Sequence, residues 1–143
     1  MSEENKAIAR RFFEEVWNQG NLKVVDELLG PDFVASGVPS GIPPHREGFK
    51  EFVTMNRAAF PDMNIYIEDQ IAEGDLVITR FKIRGTHQGV FAGIPPTNKQ
   101  VTGTGIGIDR IVDGRIVEAW TNYDEYGMLV QLGAIPAPGE GGG

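Results

Sequence analysis

A chain of 143 residues, 41% hydrophobic and 23% charged, has the size and balance of one soluble globular domain, able to bury roughly two-thirds of its unfolded surface and keep an internal pocket. Its 13 basic and 20 acidic residues leave a net charge of −7 with no basic run among aromatics, so nucleic acid is not an expected partner. The lack of cysteine excludes disulfides and thiolate chemistry, and with His45 and His87 the only histidines, no metal site is expected.

The first residues, Met1 to Asn5, are acidic where a secretory leader needs base followed by an apolar run. No run of ~18 apolar residues exists to span a membrane, so a cytoplasmic protein is expected. Ser2 suits an N-cap, with Glu3 and Glu4 in the first turn. Ala7, Ile8, Phe12, Val16 and Trp17 then recur at helical spacing until Gly20 stops the helix. Asn21 caps a second helix, Leu22 to Leu29, ended by Gly30-Pro31, and a short strand is expected over Asp32 to Ser36. Three prolines and two glycines mark Gly37 to Pro44 as a loop. A third helix, Arg46 to Phe60, follows and breaks at Pro61-Asp62.

Beyond residue 62 the period becomes two. Ile65, Ile67 and Ile71 alternate with Tyr66, Glu68 and Gln70, and Glu73-Gly74-Asp75 reads as a hairpin turn. Val77, Thr79, Phe81 and Ile83 return on one face, opposite Ile78, Arg80, Lys82 and Arg84. After a loop from Gly89 to Lys99, strands Val101 to Val112 and Arg115 to Asp124 join through Asp113-Gly114, and Tyr126 to Leu132 suits a short closing helix. Residues 1–135 form one domain, and the Pro/Gly-rich stretch 136–143 reads as a flexible tail. Helices first and an antiparallel meander afterwards is an α+β order. The arrangement expected is a curved antiparallel sheet wrapped around about three N-terminal helices and enclosing a pocket.

Gly74-Asp75-Leu76-Val77, then Arg80, then Gly85-Thr86-His87-Gln88-Gly89, resembles a hairpin of the SnoaL-like polyketide cyclases. So does Gly93-Ile94-Pro95-Pro96-Thr97-Asn98-Lys99, where Asn98 stands in place of the family's usual glycine. The run Asp113 to Trp120, followed by Asp124 and by Gln131-Leu132-Gly133, completes a set in matching order and spacing over residues 74–133. The first half matches in element order and in Phe60-Pro61-Asp62. The resemblance implies the cone-shaped nuclear-transport-factor-2-like (cystatin-like) fold and a pocket for a hydrophobic, oxygen-rich small molecule. It also implies cofactor-free, aldol-type cyclisation of a polyketide-like carbonyl substrate, and a homodimer.

Asp124 is the first catalytic candidate, in phase with Ile116, Glu118, Trp120 and Asn122. Carried over from the cyclases, the aspartate after this tryptophan removes a proton α to a carbonyl, a task suited to a carboxylate raised by burial. The same position equally suits a cap for the closing helix. His87 is the second candidate, able to hold an enolate oxygen or to pin the Pro95-Pro96 loop. Asn122 is a further polar group for substrate. Asp69 interrupts the Ile65-Ile67-Ile71 face and is the alternative acid/base, unless a bulge shifts the strand's phase. Trp17, Trp120, Phe52 and Phe81, with Phe49 and Phe91, are core or pocket lining.

Arg110 and Glu118 suit a cross-strand pair, Arg80 an outward charge, and His45 an exposed loop. Gly103, Gly105 and Gly107 leave one face of a strand bare, for close packing or for a ligand. Their spacing, with no helix following, is not a dinucleotide-binding motif. The reading is an acid/base enzyme acting on a small carbonyl compound. An isomerase or dehydratase using the same base, and a non-catalytic binding or dimerisation module, are the alternatives.

Overall fold

Acid at Glu3 and Glu4 and base at Arg10 and Arg11 complement the dipole of helix α1 (Ser2–Arg11). In the computed structural model, which describes residues 2–136 and 139, the helix widens into a π-helical segment, Phe12–Asn18, instead of running on as α-helix. The Arg57 guanidinium closes its end, donating to the carbonyls of Trp17 and Asn18 at 2.6 and 3.0 Å. Helices α2 (Leu22–Leu28), α3 (Arg46–Ala59) and α4 (Glu125–Gln131) complete the helical part. Most of the expected tail lies outside the described residues. No helix among the described residues is long and apolar enough to cross a membrane.

The strands are β1 (Leu29–Ser36), β2 (Asn64–Glu73), β3 (Leu76–Thr86), β4 (Gln100–Val112) and β5 (Arg115–Tyr123), in the sheet order β1-β5-β4-β3-β2. β1 begins earlier than expected and takes in Pro31, which is exposed at the sheet edge, where a missing N–H costs no ladder bond. It pairs in parallel with β5, so the α+β sheet is mixed and not wholly antiparallel as expected. Where β5 has ended, the Gln131 side chain of α4 takes over, pairing with the N–H and C=O of Thr102 at 2.9 and 2.7 Å.

Two bulges decide which side chains face inward. Ile67 pairs with Phe81 but Asp69 with Arg80, so Glu68 is the extra residue of β2 and the phase flips beyond it. Glu118 pairs with Arg110 but Ile116 with Ile111, so Val117 is the extra residue of β5. One buried cluster gathers Phe12, Val16, Leu29, Phe33, Phe49 and Ile116, and a second gathers Phe13, Phe60, Ile65, Phe81 and Met128. Trp17 packs against both.

Asp62 ties the turn after α3 to the end of β3, accepting from the Thr86 N–H and hydroxyl at 2.7 Å each. These bonds, the backbone one first, hold its carboxyl below the usual aspartate range. Asp62→Ala is expected to cost about 1–3 kcal/mol, as charge-assisted bonds do. Its effect in thermal melts should shrink as acid protonates the wild-type carboxylate; a pH-independent difference would contradict the assignment.

Candidate active site

The inner face of β4 is the row Val101, Gly103, Gly105, Gly107, Asp109 and Ile111, whereas Thr102, Thr104 and Ile106 point outward. The same face of β5 presents Ala119, Thr121 and Tyr123. Over these strands, under Phe12, Phe13 and Trp17 and beside Phe49 and Phe52 of α3, lies a cavity where the two clusters meet. The cavity measures about 100 Å³. The lining residues Ser36, Gly37 and Thr121 are exposed and form the mouth. Gly37 fits there at φ +95, its α-carbon against the Thr121 carbonyl, which a β-carbon would approach to 2.5 Å.

Asp109 is the charged residue of this lining, between Val77 and Ala119 in the ladder. Among the described residues it has no hydrogen-bond or ion-pair partner, and it is partly exposed, on the cavity wall. Burial among apolar side chains pushes its carboxyl up to about 7. Tyr123 also lines the cavity, and burial, with Glu125 nearby, pushes its phenol up to about 12, so it stays a neutral donor. The site thus joins a carboxyl able to exchange a proton near neutrality with an un-ionised hydroxyl, inside an apolar enclosure.

The structure places Trp17, Phe52 and Phe81 on the cavity wall. It does not bring Asp124 there. Asp124 is exposed and caps α4, accepting from the Gly127 N–H at 2.8 Å. The expected phase fails at the Val117 bulge: Ile116 faces inward, but Glu118, Trp120 and Asn122 then face outward. Trp120 accordingly lies on the outer side, 6.0 Å beneath the Arg110 guanidinium, and Arg110 bonds Glu118 at 3.0 Å as the cross-strand pair expected.

Asp69 is likewise outside, ion-paired to Arg80 beyond the Glu68 bulge. His87 is fully buried but away from the cavity. Its Nδ1 accepts from the Thr97 N–H at 3.2 Å, pinning the 95–99 loop. Asn98 adopts φ 60 in that loop, a left-handed conformation asparagine tolerates in place of glycine.

The family model for the SnoaL-like polyketide cyclases matches residues 7–132. The chain belongs to the SnoaL-like polyketide cyclase family. Nogalonic acid methyl ester cyclase of Streptomyces nogalater is 33% identical over 119 residues, 82% of this chain and 89% of that protein. Aklanonic acid methyl ester cyclase of Streptomyces peucetius is 30% identical over 122 residues, 83% of this chain and 84% of that one. Among solved structures, wild-type IdmH of Streptomyces antibioticus superposes with a TM-score of 0.78 at 38% identity, covering 90% of this chain and 98% of its own. For this SnoaL-like chain, the inward carboxylate is Asp109 and the inward residue after the tryptophan is Thr121. The sequence signal for Asp109 was its phase: it continues the row of inward glycines and is flanked by Ile111 two positions on.

Proposed function

We propose that this protein closes a ring in a polyketide-derived ester by intramolecular aldol addition, with Asp109 as the acid/base. The observation that carries the reading is an unpartnered carboxyl, raised to about 7 by burial, opening into an apolar cavity. The ionised carboxylate takes a proton α to a carbonyl. The enolate carbon attacks a second carbonyl of the same molecule, and the resulting alkoxide recovers a proton from the Asp109 carboxylic acid. Tyr123 donates to a substrate oxygen, while Trp17, Phe52 and Phe81 fold the chain and keep water from the enolate. Ser36 and Thr121 supply polar contacts at the mouth. Relatives that are cyclases of acid methyl esters support this reaction class.

The test is incubation in D2O with a polyketide-derived methyl ester that carries two carbonyls in one chain, followed by chromatography and mass spectrometry, with exchange counted only above an enzyme-free control. Deuterium at the α-carbon together with the ring-closed product supports the reading. Exchange without closure favours an isomerase; unexchanged, unclosed substrate favours a binding protein.

The partner at the protein level is a second copy of the chain. Ile78 and Ile106 are exposed on the outer face of the sheet, with Ile108 and Trp120 between charged pairs around them. Ile106→Glu is expected to turn a dimer into a monomer in sedimentation equilibrium. A wild-type monomer, or a dimer unaffected by the change, would rule this face out.

A further inference from the structure

Phe49, Phe52 and Asn56 recur along α3 at helical spacing, and all three line the cavity. The first two build its aromatic wall, but the third puts a carboxamide on it. Local structure gives no reason for asparagine there. Its short side chain competes for backbone groups and weakens a helix, and an apolar residue would extend the inward face. Nδ2 donates to the Phe52 carbonyl at 2.8 Å. That oxygen already takes the Asn56 backbone N–H in the helical ladder, so the side-chain bond rescues no orphan group. Oδ1 and the second amide hydrogen have no partner among the described residues.

The place of this amide gives it a use. Phe49 and Val53, earlier on α3, belong to one buried cluster, and Ala59 and Phe60, after it, belong to the other. Asn56 therefore stands on the helical wall at their junction, where the cavity lies. Asp109 and Tyr123 come from strands of the sheet, and Ser36 and Thr121 from the mouth. Asn56 is the polar side chain that α3 adds to them. A molecule filling the cavity drives water from such an amide, which costs affinity unless the molecule offers a partner in return. Discrimination of this kind is sharper than discrimination by size.

We propose that Asn56 is a further catalytic residue, its free amide N–H donating to the oxygen of the carbonyl under attack. Ring closure turns that oxygen into an alkoxide as the new carbon–carbon bond forms, and a hydrogen bond to it strengthens as the charge develops. The alkoxide then takes its proton from the Asp109 carboxylic acid, so Asn56 gives up no proton and stays neutral throughout. Proton removal from the α-carbon belongs to Asp109 and Tyr123 and precedes the step that Asn56 assists. The proposal rests on the reading of Asp109 as the acid/base.

The experiment follows methyl 3,7-dioxooctanoate in D2O against an enzyme-free control; its α-carbon can close a six-membered ring onto the distant ketone. Asn56→Leu is expected to slow ring closure ~100-fold, as loss of one oxyanion donor does. Deuteration of the α-carbon should slow less than ~3-fold, because that step does not use the lost bond. The melting temperature should hold or rise, since leucine suits both the helix and the apolar wall. Asn56→Gln keeps an amide and should recover at least ~10-fold of the closure rate lost in the leucine variant. Equal losses of closure and deuteration, closure within ~3-fold of wild type in Asn56→Leu, a lower melting temperature for that variant, or a glutamine variant no better than leucine would each overturn the proposal. Wild-type protein that deuterates the probe without closing it would overturn the role of Asn56 and leave proton removal by Asp109 standing. Wild-type protein that does neither, or Asp109→Asn that still deuterates, would overturn the Asp109 reading and this proposal with it.

Discussion

Asp109→Asn is expected to lower ring closure by ~10²–10⁴-fold, the range for loss of a positioned acid/base, and at the same time to make the protein more stable above neutral pH. Both effects have one cause. Burial without a partner disfavours the carboxylate, which raises the carboxyl to about 7 in the folded chain. In the unfolded chain the same group ionises near ~4. Below that pH it is protonated in both states and has no effect on stability. As pH rises from there to about 7, the unfolded state releases the proton and the folded state keeps it, so stability falls. Above about 7 the loss is complete, on the order of 2–4 kcal/mol. Asparagine has nothing to ionise and escapes it. Melts of wild type and variant from pH 4 to 8 should coincide in acid and separate toward neutrality, while wild-type kcat/KM should climb through pH ~7. A variant retaining a tenth of the activity, or a melting difference that does not change with pH, would sink the assignment.

That cost also explains why the catalytic candidate was hard to see in the sequence. The elements themselves were legible: stops at Gly20 and Pro61, alternation in the strands, and Asp113-Gly114 at the tight turn all agree with the fold, although Ser2 lies within α1 where a cap was expected. The wide segment from Phe12 was not, because a π-helix keeps the same apolar residues on nearly the same side. The parallel pairing of β1 with β5 was hidden too, since it joins the two most distant strands and leaves no local mark. Site assignment depended on phase, and phase depended on two residues, Glu68 and Val117. Each is an ordinary strand residue, and a bulge there exchanges inside for outside along the rest of the strand without altering composition. Hence Asp69, Trp120, Asn122 and Asp124 were counted inward while the structure turns them out. β4 carries its inward row unbroken from Val101 to Ile111, so Asp109 could have been found there. Gly103, Gly105 and Gly107 mark the bare face, and Asp109 continues it in phase.

Phe49→Ala should be the most damaging single truncation on the cavity wall. Phe49 is nearly fully buried, and its ring centroid lies 5.5 Å from Phe12, 5.8 Å from Trp17, 5.7 Å from Phe33 and 5.9 Å from Phe52. Three of these contacts are edge-on, the arrangement aromatic quadrupoles favour. The residue therefore couples the first helical segment, β1 and α3 at one point, and its loss should cost ~3–5 kcal/mol. For a chain of this length the melting temperature should fall on the order of 10 °C. The neighbouring rings relax only partly into the gap, so the cavity should enlarge and hold its ligand less tightly. Phe49→Leu separates volume from ring geometry: it should recover much of the stability and little of the binding order. A cost below ~1 kcal/mol for the alanine variant would mean that the cavity wall collapses onto the gap, and that these rings do not hold the cavity open.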